Sequence, residues 1–186
     1  MEYVLGITGS SGIIYGAKLL ERLPHKRVLI LSRGAEKVIE KELGDRKFLN
    51  KLIENADEFH WEEELDAPQS SGSHLFDAYI ICPASMNTVA KIAAGISDNL
   101  ITRVASVAMK ESRKFVVVFR ETPLSYIHLR NLMEISNGGG IIMPASPGFY
   151  HMPKNIDEII DFMVSRILDQ IGVKNDIINR WGSEKD

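Results

Sequence analysis

Residues Tyr3 to Gly16 read Y-V-L-G-I-T-G-S-S-G-I-I-Y-G. Val4, Leu5 and Ile7 form a short apolar run with strand chemistry, Gly9, Gly12 and Gly16 follow, and an apolar segment of helical character begins at Ile13. This is a strand, a glycine turn and a helix. Such a turn leaves amides at the helix N-terminus unpaired and aimed at one spot, and the missing Cβ atoms let a planar or anionic ligand come close. A ligand is therefore expected at this turn. The spacing from Gly6 is G-x-x-G-x-x-G, which is neither the dinucleotide G-x-G-x-x-G nor the Walker sequence. A tight turn alone explains the glycines equally well. Ser10 and Ser11 favour the ligand, one capping the helix while the other stays free to hydrogen-bond.

The chain of 186 residues, 45% of them hydrophobic, has room for one domain with a substantial core, read here as residues 1–186 with a C-terminal tail from 173. Lys and Arg number 22 against 25 Asp and Glu, and no basic run is long enough to make nucleic acid the main partner. The ligand is expected to be small. The one cysteine, Cys82, excludes an intrachain disulfide and any multi-cysteine metal site, which fits a reducing interior. No signal-peptide pattern opens the chain and no eighteen apolar residues run together, so the expectation is a cytoplasmic protein without a membrane segment.

Outward from the glycine turn, Ile13, Ala17 and Leu20 recur at helical spacing until Pro24, and Arg27 to Ser32 reads as a second buried strand. Ser32 ends that strand on the same edge as the glycine turn, where an ordinary helix cap for Ala35 to Leu43 is the favoured reading. Glu42 is one of several charges on that helix, with a solvated face as the default. Asp45 to Glu64 is amphipathic and acidic, its helical stretch followed by a short edge strand near Phe59 to Trp61, and carries no evident chemistry. Asp66 to His74 reads as a surface or ligand-facing loop. Ala78 to Cys82 is a third strand ended by Pro83, and P-A-S-M-N-T (Pro83 to Thr88) leads into a helix, a second strand-to-helix turn rich in hydroxyl and amide groups. Ser85 and Thr88 with that helix N-terminus suit a phosphate. Cys82 reads as a packed small hydrophobe.

Ser97 or Asp98 is expected to cap the next helix, on which Arg103 and Lys110 ride about two turns apart. The fourth strand, F-V-V-V-F (Phe115 to Phe119), runs straight into Arg120 and Glu121. Charges at the end of a central strand need a ligand or a partner, so Arg120 reads as a fork for an anion and Glu121 as a proton acceptor, unless they neutralise each other. A helix from Ser125 to Asn137, a fifth strand Ile141 to Met143, and a loop holding Phe149, Tyr150 and His151 between prolines follow. His151 reads as an exposed loop residue. Asn155 and Glu158 form a capping box on the last long helix, from which Arg166 projects, and Ile177, Ile178 and Trp181 in the tail must pack on the domain or on another subunit. The architecture expected is α/β: a three-layer, doubly wound (Rossmann-like or flavodoxin-like) parallel sheet with helices on both faces and the site at one edge.

G-I-T-G-S-S-G-I-I-Y-G, P-A-S-M-N-T, N-L-I-T-R-V-A, R-E-T-P-L, G-F-Y-H-M-P and the terminal R-W-G resemble, in order and spacing, the UbiX-type flavin prenyltransferases, over nearly the whole chain. The resemblance implies a metal-independent enzyme that joins a dimethylallyl group from dimethylallyl monophosphate to N5 and C6 of reduced FMN. It further implies that the prenylated FMN goes to a UbiD-type decarboxylase, and that the enzyme is a homo-oligomer, a dodecamer. By the same match Gly9, Ser10 and Ser11 hold the flavin. Ser32 and the loop of Ser85, Met86, Asn87 and Thr88 surround its phosphate and ribityl chain, and Arg120 lies near the ring. Tyr150, Arg166 and Arg103 bind the prenyl phosphate, joined by Lys110 across a subunit boundary. Ser11, Glu42, Glu121 and Lys110 match residues near the reacting atoms. One departure is Leu65, where some members carry a tryptophan, with Trp61 four residues earlier. The related flavin-dependent cysteine decarboxylases share a P-A-S-A-N-T loop, but their catalytic His before the third strand and their P-x-M-N-x-x-M-W sequence are absent here. A non-enzymatic FMN carrier would not require Arg103, Lys110, Arg120 and Arg166 around a second anion.

Overall fold

Alternating apolar runs and amphipathic helices resolve into a sheet of six strands among the described residues, which in this computed structural model are 1–44, 46–180 and 182, the side chain of Arg46 excepted. Asp45 and Trp181 lie outside them. The chain runs β1 (Glu2–Ile7), α1 (Ile13–Arg22), β2 (Lys26–Leu31), α2 (Arg33–Leu43), α3 (Arg46–Glu54) and β3 (Glu58–Trp61). It continues through β4 (Ala78–Ala84), α4 (Met86–Ala93), α5 (Leu100–Lys110), β5 (Lys114–Phe119), α6 (Tyr126–Asn137), β6 (Ile141–Pro144) and α7 (Ile156–Ile171). All neighbouring strands pair in parallel in the order β3-β2-β1-β4-β5-β6. The order reverses between β1 and β4, and a crevice opens at the carboxyl ends of strands where it does so.

Side-chain period two splits the core between the two faces. Leu5, Ile7, Leu29, Leu31, Ile80, Cys82, Val116 and Val118 pack with α1, α2, α3 and α7. Val4, Val28, Ile30, Tyr79, Ile81, Phe115 and Val117 pack with α4, α5 and α6. Burial on both faces is why these strands read as continuous apolar runs, each large side chain contributing roughly 1.5–3 kcal/mol. The layers are tight at Gly16, where a Cβ would come within 2.1 Å of the Cys82 carbonyl, so α1 lies directly on β4.

The short edge strand expected near Phe59 to Trp61 is present as β3, paired along its length with β2, and brings the sheet to six strands. Two local expectations are corrected. Strand β4 continues past Pro83 to Ala84, with a shift of register after Ile81: Pro83 has no N–H to donate, but its carbonyl accepts the Thr8 amide and so stays paired to the end of β1. Helix α5 is capped by Asn99, in place of Ser97 or Asp98: Asn99 Oδ1 accepts the Thr102 amide at 2.9 Å while Thr102 Oγ1 accepts the Asn99 amide. Among the described residues no helix is long and apolar enough to cross a membrane. The tail folds back: Ile177 packs on the core, Asn175 joins Ser165 at 2.7 Å, and Arg180 grips Asp169.

Candidate active site

At the reversal between β1 and β4, Thr8 ties the two loops together. Its amide and hydroxyl both donate to the Pro83 carbonyl, at 3.1 and 2.9 Å, and its Oγ1 accepts the Ser85 amide at 2.7 Å. Next to it Gly9 lies against Gly34, where a Cβ would sit 2.9 Å from backbone, so the loops after β1 and β2 touch without side chains between them. Ser32 caps α2 through the Ala35 amide at 3.0 Å, as the favoured reading had it, and Ser85 caps α4 through Thr88, whose hydroxyl is 3.0 Å from Ser85 Oγ. Together Thr8, Gly9, Ser32, Gly34, Ser85, Asn87 and Thr88 line a cleft of about 290 Å³, closed on its far side by Glu62, Lys91 and Asn99.

The N-termini of α1, α2 and α4 all reach this edge, and they are not equally open. Neither Ser10 nor Ser11 caps α1: the N-cap is Gly12, left-handed at φ 99°, and the Glu42 carboxylate takes the Gly12 and Ile13 amides at 3.1–3.2 Å. A carboxylate there satisfies the positive end of the helix, so α1 is already occupied. This corrects the expectation that one of the two serines caps α1 while its first amides stay unpaired. On α2, Glu62 accepts the Arg33 amide and Ser32 that of Ala35, leaving Gly34. On α4 the amides of Met86 and Asn87 precede any intrahelical acceptor, and Asn87 lines the cleft. The α4 N-terminus, with the Gly34 amide beside it, could hold an anion here.

Tyr150 and Arg166 come together elsewhere, in a second cleft of about 450 Å³ beside the edge strand β6, with Met143, Pro147, Phe162 and Gln170. Asp169 steers Arg166 at 3.0 Å and is itself held low by the Arg180 guanidinium. Ser10 Oγ donates to the Arg120 carbonyl at 3.2 Å, joining the glycine turn to the loop after β5. The Arg120 side chain is exposed and does not pair with Glu121, whose carboxylate instead accepts the Thr122 amide at 3.1 Å. Arg103 donates through Nε to the Ser70 carbonyl at 2.9 Å. Lys110 pairs with Glu111 at the far end of α5, roughly 15 Å along the axis from Leu100 and so at the opposite edge of the sheet.

His151 is not the exposed residue expected. Its ring stacks on Phe162 with centroids 5.2 Å apart, and both nitrogens are buried without a hydrogen-bond partner among the described residues. Cys82 is buried, and desolvation pushes its thiol well up, as befits a packed residue. Sequence reasoning missed Thr8, Glu62 and Asp169. Thr8 lay in the quoted stretch, where the only signal was a hydroxyl at a strand end; Glu62 lay in a run of three glutamates with nothing to single it out.

The Flavoprotein family model matches residues 1–168. A flavin prenyltransferase UbiX from Thermoplasma acidophilum is 49% identical over 183 residues, covering 97% of this chain and 100% of its own. The crystal structure of AnUbiX in complex with FMN and dimethylallyl pyrophosphate superposes with a TM-score of 0.94 at 38% identity, over 99% of this chain and 98% of that one. A dodecameric FMN-dependent UbiX-like decarboxylase from Escherichia coli has a TM-score of 0.92 at 38% identity, over 97% and 99%. Agreement at this level along nearly the full length, in sequence and backbone alike, places the chain in the Flavoprotein family, among the UbiX flavin prenyltransferases.

Proposed function

We propose that this protein transfers a dimethylallyl group from dimethylallyl monophosphate to N5 and C6 of reduced FMN. The observation that carries the reading is the division of labour between two clefts: one lined by hydroxyls and first-turn amides, the other by Tyr150 and Arg166. The first suits the phosphate and ribityl chain of FMN: the Gly9 and Gly34 backbones pack against each other and so bring the loops after β1 and β2 together at the cleft. Gly9, Ser10, Ser11, Ser32, Ser85, Met86, Asn87, Thr88 and Arg120 form this binding edge. Reduced FMN supplies the electron-rich ring that accepts the prenyl group. Breaking the allylic C–O bond puts charge on the departing phosphate, and Arg166 and the Tyr150 hydroxyl donate to it where it develops. Arg103 assists from α5, and Lys110, at the opposite edge of its own sheet, reaches a phosphoester only from a neighbouring copy. We therefore infer a site completed in a homo-oligomer, with the dodecameric relative as the pattern.

Glu121 keeps one carboxylate oxygen available beyond its bond to Thr122, and it or the departing phosphate itself accepts the proton lost from C6. Glu42 keeps α1 and its Ser11 loop in place. The product would pass to a UbiD-type decarboxylase in the cytoplasm. Incubating the protein with reduced FMN and dimethylallyl monophosphate, then weighing the flavin, tests the reaction: a gain of one prenyl unit is expected. FMN bound tightly and recovered unchanged would instead make the protein a carrier.

A further inference from the structure

The acidic run Glu62-Glu63-Glu64 directly follows β3, and each member has its own partner. Glu62 accepts the Arg33 amide at 2.8 Å and the Asn99 side-chain amide at 2.6 Å, and its carbonyl accepts the Leu100 amide at 2.7 Å. Glu63 pairs with the Arg33 guanidinium, which lies 4.0 Å over the Trp61 ring. Glu64 accepts the Trp61 amide through one oxygen and faces His60 Nδ1 at 3.0 Å through the other. The run is thus a strap that joins the N-termini of α2 and α5 across the end of β3, and its first residue walls the cleft assigned to the FMN phosphate.

His60 anchors the strap from below. Glu58 and His60 share one face of β3, and His60 Nε2 meets Glu58 Oε1 at 2.8 Å while Nδ1 meets Glu64. A carboxylate only accepts, so both ring nitrogens must donate, and only the imidazolium carries two N–H groups. Glu58 is fixed behind it by Lys26 at the start of β2 and by Gln69, which also reaches Glu2 of β1; Glu2 in turn faces His74 at 2.8 Å. Burial opposes the charge on His60, but its two carboxylate partners outweigh burial and raise its titration above the ordinary value.

We propose that His60, as an imidazolium, is a positioning residue that holds the Glu62–Glu64 strap in the geometry that walls the cofactor cleft, so that FMN affinity falls when His60 loses its proton. The inference rests on reading that cleft as the seat of the FMN phosphate. Its sign follows from linkage: the clamp is fully present below the unfolded histidine value and is lost as pH rises through the raised folded one. Reciprocity then requires bound FMN to raise the His60 titration further.

The test is a histidine NMR titration of the full-length protein with and without saturating FMN, the His60 signal being assigned by its absence in His60→Gln. FMN dissociation constants from pH 6 to 9 are measured alongside for wild type and variant. A midpoint raised by about one pH unit on FMN binding is expected, with affinity about tenfold weaker above the titration than below it. His60→Gln should lack that step; ionisation of the FMN phosphate is common to both proteins and cancels. Should His60→Gln fail to fold, Glu64→Gln, which leaves one carboxylate, should lower the midpoint and shrink the step. A midpoint that FMN does not move, or an equal step in His60→Gln, overturns the inference. Unchanged FMN affinity in Thr88→Val would instead remove the cleft assignment, and the inference with it.

Discussion

Replacing Thr8 by Val changes almost nothing in shape and removes one hydroxyl at the crevice between β1 and β4. Thr8 is 2% exposed, and its Oγ1 is the acceptor for the Ser85 amide at 2.7 Å. The Pro83 carbonyl loses one donor but keeps the Thr8 amide at 3.1 Å, so the uncompensated loss is the Ser85 N–H. Leaving such a donor unsatisfied costs about 1–3 kcal/mol. In a chain of this size a loss of about 2 kcal/mol lowers Tm by roughly 4–8 °C. Thr8→Ser is the control: it sacrifices a methyl, about 0.8 kcal/mol, and keeps the hydrogen bond. Valine should therefore be worse than serine, the reverse of the order that packing alone gives. The same loosening reaches α4, whose first amides form the proposed anion seat, and FMN affinity should fall about tenfold, near 1.4 kcal/mol. Thermal unfolding at matched protein concentration and flavin fluorescence on titration measure the two effects. A valine variant as stable as wild type, beside a destabilised serine variant, would refute the reasoning.

Arg166→Met should leave FMN binding intact and cut prenyl transfer by about 10²-fold, the loss typical of one donor to a developing anion, measured by product mass over time. Equal losses in FMN affinity would mean the two clefts are not separate. Burial raises the Glu58 carboxyl, but hydrogen bonds from Lys26, His60 and Gln69 overcome it and hold it near 2, below its ordinary 4.5. Its contribution to stability is thus present above about pH 4.5 and lost as pH falls toward 2, and Glu58→Gln should flatten the acid limb of a Tm-against-pH curve over that window. Gly16→Ala drives a methyl to within 2.1 Å of the Cys82 carbonyl; α1 must lift off β4, and a cost of about 1–3 kcal/mol or more should appear as a lower Tm.

The strand-turn-helix at Tyr3 to Gly16, the unbroken apolar runs Ala78 to Cys82 and Phe115 to Phe119, and the helical stripes between them were enough to specify a parallel sheet covered on both faces. Local chemistry decides such matters: a residue buried on either side of a sheet must be apolar whatever its neighbours in space, and a cap such as Ser32, Ser85 or Asn155 serves amides only three residues away. The P-A-S-M-N-T loop was legible as a capped strand-to-helix turn for the same reason. Which helix N-terminus stays open was not, because the answer depends on carboxylates 29 to 37 residues distant: Glu42 on the Gly12 and Ile13 amides, Glu62 on Arg33 and Asn99. Nor did a histidine between two glutamates on an edge strand announce that it bridges them. Sequence alone determined the layers, the edge on which ligands gather and the residue types that gather there. Tertiary structure decided which of those groups spend their hydrogen bonds on one another and which keep them for a ligand, since a donor's availability is set by whatever side chain the fold brings within 3 Å of it.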